Sequence, residues 1–197
     1  MDTVPNEPLQ ERLGPESILV PKDPARAFGR GLRQKISSQL DAITSSVPML
    51  EDEKYDEKYI EKINKIKENF ARITNILNGL EKAKEVRLIK LNIGYDFKFS
   101  EETEDLGFNE GEILMGEDIT TEFISALNHT IRNPLGIVMG RAESIESEAA
   151  KRIVSASNEI EEKISEITRP SPHDPQDIKM TTDIEGNTTI TPLYPFS

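Results

Sequence analysis

The chain has two histidines and no cysteine. The lack of cysteine excludes disulfides, thiolate metal sites and cysteine nucleophiles, whereas an imidazole can act as a nucleophile near neutral pH. His173, between Pro172 and Asp174 in a proline-rich stretch, reads as a solvated loop residue. His129 stands in the string Phe123-Ile-Ser-Ala-Leu-Asn-His129-Thr-Ile-Arg132-Asn133-Pro134-Leu135. An imidazole nitrogen with a free lone pair can take up a phosphoryl group and later pass it on. Leu127 and Ile131 lie two residues to either side of His129, so at about 100° per residue the imidazole points away from them and is expected to be exposed. Asn133, one turn further on, shares that face and either orients an incoming group or a water or is simply solvated. Pro134 removes the donor to the Thr130 carbonyl, at ~3 kcal/mol for a helix interior, and loosens the turn beside His129. A helix break with Asn133 as N-cap is the alternative.

The elements that must hold this string are legible as a repeat. At a constant offset of 95 residues, Phe28, Leu32, Ile36, Leu40, Ile43, Val47 and Leu50 align with Phe123, Leu127, Ile131, Leu135, Val138, Ala142 and Ile145. Both sets run 4, 4, 4, 3, 4, 3, the spacing of a helix with one apolar stripe. This uninterrupted stripe, with Gln39 at the place of Pro134, favours one kinked helix over a break. At an offset of 90, Ile63, Ile66, Phe70, Thr74 and Leu77 align with Ile153, Ala156, Ile160, Ile164 and Ile167 as second helices, the stretch 51–58 absorbing the difference. A helical hairpin with one apolar side cannot bury it alone, so two tandem hairpins are expected to pack as a pseudo-twofold four-helix bundle.

The string from Phe123 to Glu143, with His followed by Arg at +3, Asn at +4, Pro at +5 and Leu at +6, resembles the phosphoacceptor box of the dimerisation and histidine-phosphotransfer domain of sensor histidine kinases. The stretch Ile73-Thr-Asn-Ile76-Leu77-Asn-Gly-Leu80 followed by Val86-Arg87 also resembles that domain's second helix and exit. The likeness spans residues 28–99 and 120–169, the strong motif lying in the second copy alone: the first has Gln34 at the His position, and Gln34 cannot take a phosphoryl group. The resemblance implies a phosphorelay protein in which His129 exchanges phosphate with response-regulator aspartates. Asn133 and Thr130 stand beside it in the site, and Asn128, Arg132, Leu135 and Ile137 belong to the docking face. Arg132 reads equally as a solvated charge, and Leu135 as a core residue. No metal or cofactor is expected on this chain, the partner receiver domain bringing its own Mg²⁺. Thr130 replaces the acidic residue that usually follows the histidine in autophosphorylating members, and no ATP-binding domain is recognisable, so autokinase activity is not expected. These departures motivate a second reading, a non-catalytic adaptor that binds a response regulator or histidine kinase. A third is a phosphatase-like role for Asn133.

Composition bounds the rest. With Lys+Arg 24 against Asp+Glu 36 the net charge is -12 over 197 residues, which disfavours nucleic acid and anionic membranes as partners. With neither a signal pattern nor a membrane-length apolar run, the chain is expected in the cytoplasm, as a monomer with a pseudo-dimeric bundle or as a homodimer. Prolines crowd both ends, so 1–24 and 170–197 are expected to be flexible tails, with a weak hairpin across 180–190. Between them lie a degenerate hairpin over 25–85, an extended and acidic linker over 86–119, and the phosphoacceptor hairpin over 120–169. In the linker, Leu91, Ile93, Tyr95, Phe97 and Phe99 alternate with polar residues as in a strand. Ile113 to Met115 is its expected partner.

Overall fold

A computed structural model describes residues 17–52, 57–100, 110–168 and 177–193. The chain is mainly helical, and its helices begin where the sequence supplies starts. Strand β1 (Ser17–Val20) leads directly into α1 (Lys22–Asp52). Pro24 sits in that helix's first turn, where its missing N–H costs nothing. Helix α2 (Glu57–Lys82) returns and is followed by β2 (Val86–Lys90) and β3 (Tyr95–Phe99). The same order then recurs: β4 (Gly111–Met115), the long helix α3 (Glu117–Leu127) continued by α4 (Asn133–Glu143), α5 (Glu148–Thr168), β5 (Asp177–Thr182) and β6 (Thr188–Leu193). Each unit carries an antiparallel three-stranded sheet with the same order, β1-β2-β3 in one and β4-β5-β6 in the other. The registers run Val20 opposite Val86 and Val86 opposite Phe99 in the first, Met115 opposite Ile178 and Thr182 opposite Thr188 in the second.

Both proline-rich ends therefore hold more structure than expected. Ser17–Val20 is a paired strand because its prolines flank it instead of interrupting it, and Val20 is buried. At the other end β5 and β6 form the expected hairpin at greater length, and Ile178 and Met180 join the core. Ile113 to Met115 is a strand as read, but it pairs with β5 and not with the preceding run. That run is two strands, reversed at residues 91–94 where Gly94 adopts φ 78°. Apolar alternation continues through this turn and conceals it, while Gly94 meets the left-handed backbone requirement at no steric cost.

All fourteen aligned stripe residues are buried, Ile145 among them although it stands just past the end of α4. In α2, Phe70 and Thr74 are only half-buried and Ile73 takes the inward place. Helix α1 packs against α2 and α5, and α4 against the same two. Each sheet leans on the first helix of the other unit: β5 and β6 on α1, β2 and β3 on α3. The equivalent phenyl rings Phe28 and Phe123 meet edge to face, 5.0 Å apart at 74°. Residues at matching places of the two aligned stripes thus meet in the core.

Close approach of backbone gives an opposed pair of substitutions. A Cβ on Gly79 in α2 would stand 2.5 Å from the Phe99 ring, so Gly79→Ala is expected to lower stability by about 1–3 kcal/mol through overpacking. Gly140 in α4 has open space where a Cβ would go, and Gly140→Ala should raise stability by up to ~1 kcal/mol through helix propensity. Urea midpoints shifting in the same direction for both would refute this packing.

Candidate functional site

Asn128–Arg132 forms a π-turn that joins α3 to α4. The Asn133 N–H donates to the Asn128 carbonyl, five residues back. Leu127, Asn128, Arg132 and Asn133 all keep right-handed helical dihedrals, so the helix passes through without a break at Asn133. Pro134 favours this widening: it has no N–H for the Thr130 carbonyl, and its ring crowds that carbonyl. Helix α1 has the same apolar spacing, with Gln39 in place of Pro134, and is α-helical at that point; it also stays α-helical around its own Pro48, nearer its end. Single π-turns recur at functional sites because they displace side chains from the regular ladder.

His129 rides on this turn. It is half-buried instead of fully exposed, and its Nδ1 is enclosed without a hydrogen-bond partner. The enclosed Nδ1 is therefore not the nitrogen that an incoming group would meet. Asn133 and Ile137 follow at one-turn intervals on the exposed side, Ile137 at 43% exposure. No side chain lies over Gly136 or Gly140, and this stretch of α4 is open.

Three residues of the expected site stand elsewhere. Thr130 is fully buried and its hydroxyl donates to the Ala126 carbonyl at 2.7 Å. One residue past His129 is a rotation of about 100°, which takes Thr130 inward beside Ile131; its hydroxyl is not available to a substrate. Leu135 is 2% exposed and belongs to the core, the second of the two roles open to it from sequence. Arg132 is neither a solvated charge nor a free docking group. Its Nε donates to both Glu161 carboxylate oxygens at 2.9 and 3.1 Å, and Nη2 donates to Glu161 Oε1 and, at 3.0 Å, to Ser165 Oγ. Nη1 reaches Asn128 Oδ1 at 3.3 Å, so Asn128 is also engaged. This cluster ties the π-turn to α5. Glu161 and Ser165, at i and i+4 on α5, are the sequence signal for it, but nothing in sequence says which cation they meet.

Arg132→Ala removes a bidentate pair whose partners are 31% and 40% exposed. Solvent screening keeps the expected loss to about 1 kcal/mol, larger at low salt. Urea titrations at two ionic strengths would check it, and a loss that does not change with salt would show that the charge pair is not its source.

At the position matching His129, Gln34 is held by backbone. Its Nε2 donates to the Gly186 carbonyl at 3.0 Å and its Oε1 accepts from the Thr188 N–H at 2.6 Å. Gln39, matching Pro134, is buried between Glu159 (2.6 Å) and Lys163 (2.8 Å) of α5. An open groove of about 970 Å³ at the α4–α5 turn is lined by Ala142, Ile145, Lys151 and Val154 among others, away from the His129 cluster. Among the described residues no group of three or more His, Asp and Glu is placed to hold a metal ion. No described helix is long and apolar enough to cross a membrane. His173 lies outside the described residues.

The chain matches no protein-family model, and no curated protein or solved structure matches it.

Proposed function

We propose that this chain is a histidine phosphotransfer protein of a two-component relay, a tandem pair of helical hairpins arranged as a four-helix bundle with one acceptor. His129 Nε2 attacks the phosphorus of an aspartyl phosphate on a response-regulator receiver domain. The new N–P bond forms as the P–O bond to the aspartate breaks, the carboxylate leaves, and the reverse step returns the phosphoryl group to another receiver. Mg²⁺ on the receiver neutralises charge on the group in flight. Asn133 orients the phosphoryl oxygens or a water, and Ile137 with the open stretch of α4 receives the partner. The setting of this exchange is the cytoplasm.

The observation that carries the reading is His129 itself: a half-exposed imidazole with an unpaired Nδ1, on a π-turn that Pro134 follows, inside the box residues that resemble a phosphoacceptor. Incubation with receiver domains charged by acetyl phosphate tests it. Acid-labile phosphate appearing on this chain, and discharging to an uncharged receiver, is the expected result. No transfer in either direction with any receiver encoded alongside it would sink the relay. The adaptor reading is favoured by one observation, the inward-facing Thr130, whose hydroxyl is taken up by the Ala126 carbonyl and is not offered to a group at His129. Receiver binding that persists in His129→Gln, with no phosphate exchange by the unaltered chain, would select it.

A further inference from the structure

The two sides of α4 differ in charge. Residues 123–142 hold no Asp or Glu, in a chain with 36 of them. His129, Asn133, Ile137 and Arg141 follow one another at four-residue steps, a lane of about 18 Å along the helix. Asn133, Ile137 and Arg141 are exposed. At its far end the lane meets α2, where Lys58, Lys62 and Lys65, at i, i+4 and i+7, share one helix face. These three lysines, with Glu61 and Arg141, line a recess of about 130 Å³ between the two helices. The Lys62 Nζ donates to the Ser144 carbonyl at 2.9 Å and stands 4.7 Å from the centre of the Tyr59 ring, and neither contact neutralises it. Lys65 pairs with Glu68 at 2.7 Å, whereas Lys58 and Arg141 have no ion pair among the described residues.

The other side is acidic. Glu143, Glu146 and Glu148 line the groove at the α4–α5 turn, and Lys151, the cation among its described lining residues, is paired with Glu148. Further along α5, Glu159, Glu161 and Glu162 border a second depression. Arg132, which points to this side, is taken up by Glu161. A phosphoryl group carries about −1.5 to −2 charges at neutral pH, and a protein Mg²⁺ site is built on carboxylates, so the surface that approaches His129 is anionic. A domain of about 100 residues has a radius of gyration of about 13 Å, so one that touches His129 also reaches the recess.

We propose that the receiver domain lies across α4 on its α2 side, with an acidic stretch of its surface against Lys58, Lys62, Lys65 and Arg141, while the α5 side repels it. The partner's identity rests on the phosphotransfer reading; the side on which it docks rests on the charges. These cations do not touch the reacting atoms. They position the partner and set its rate of arrival.

Two variants that make the chain more negative by the same amount separate position from total charge. One carries Lys58→Glu with Arg141→Glu, and the other Lys151→Glu with Arg152→Glu, on exposed positions of α5. With a receiver charged by acetyl phosphate at low salt, kcat/KM for transfer should fall at least about tenfold in the first and less than about twofold in the second. Transfer at saturating receiver should be unchanged, and the gap should narrow as ionic strength rises. Potassium phosphoramidate, a small donor that transfers its phosphoryl group to imidazole with release of ammonia, checks the site itself. In a His173→Gln background it should label His129 equally in all three chains. Equal losses in the two variants, or no loss in the first, would overturn the assignment. If the unaltered chain binds a receiver but exchanges no phosphate with it, the relay falls and the comparison is read on binding. Weaker binding in the first variant alone then keeps the docking side, and equal binding removes it. Binding to no receiver overturns both.

Discussion

His129→Gln is expected to abolish acid-labile phosphoryl uptake from a charged receiver completely, while the urea midpoint stays within the range of a surface change, about 0.5 kcal/mol. The two halves of this expectation have separate grounds. An amide nitrogen has no lone pair free to attack phosphorus, so no residual transfer should remain. The fold should not register the change because the enclosed His129 Nδ1 has no hydrogen-bond partner among the described residues, and because glutamine already occupies the matching place in α1 without disturbing that helix. Intact mass before and after mild acid reads the first half and a chemical denaturation curve the second. Phosphate uptake by the variant equal to that of the unaltered chain would move the acceptor elsewhere; a large loss of stability would mean that the half-buried ring is a packing residue.

Phe123→Ala should cost about 3–5 kcal/mol, a large share of the ~5–15 kcal/mol that holds a typical domain. Phe123 is fully buried and stands between two other rings, 5.0 Å from Phe28 and 5.0 Å from Phe97. Removing it opens a cavity where α1, α3 and β3 meet, and also forfeits two edge-to-face contacts worth roughly 0.5–1.5 kcal/mol each. Phe123→Leu should cost much less, since most of the volume is kept. Urea denaturation with both variants decides this, and a loss below ~1 kcal/mol for the alanine variant would show that the units do not depend on a shared aromatic contact.

The helices and their inward faces were legible in sequence because helix burial is periodic over short range. The stripe from Phe28 to Leu50 and its copy from Phe123 to Ile145 needed nothing from elsewhere in the chain. Strand partners were a different matter. Val20 pairing with Val86, or Met115 with Ile178, joins residues far apart in sequence, and alternation names a strand without naming its neighbour. The turn at Gly94 was hidden for the opposite reason, since polar and apolar residues kept alternating through it. At the site, His129, Asn133 and Ile137 lie on the accessible side as their spacing implied, His129 only partly so. The inward turn of Thr130 follows from rotation alone. The engagement of Arg132 by Glu161 and Ser165 depends on how α5 packs, which local spacing does not encode.

The contact between Phe28 and Phe123, which stand at matching places of two separately encoded helices, bears on how such a protein can change over time. In an assembly of two identical chains, every mutation appears twice, once on each side of the axis, so an altered acceptor would be altered in both copies. Here the two sides are encoded separately. One can tie Gln34 to a hairpin turn while the other carries His129, and each can drift without carrying the other along. The tie between them is intramolecular, so dilution does not part the two sides as it would part separate subunits. Two similarly built halves joined in one chain can thus diverge from each other.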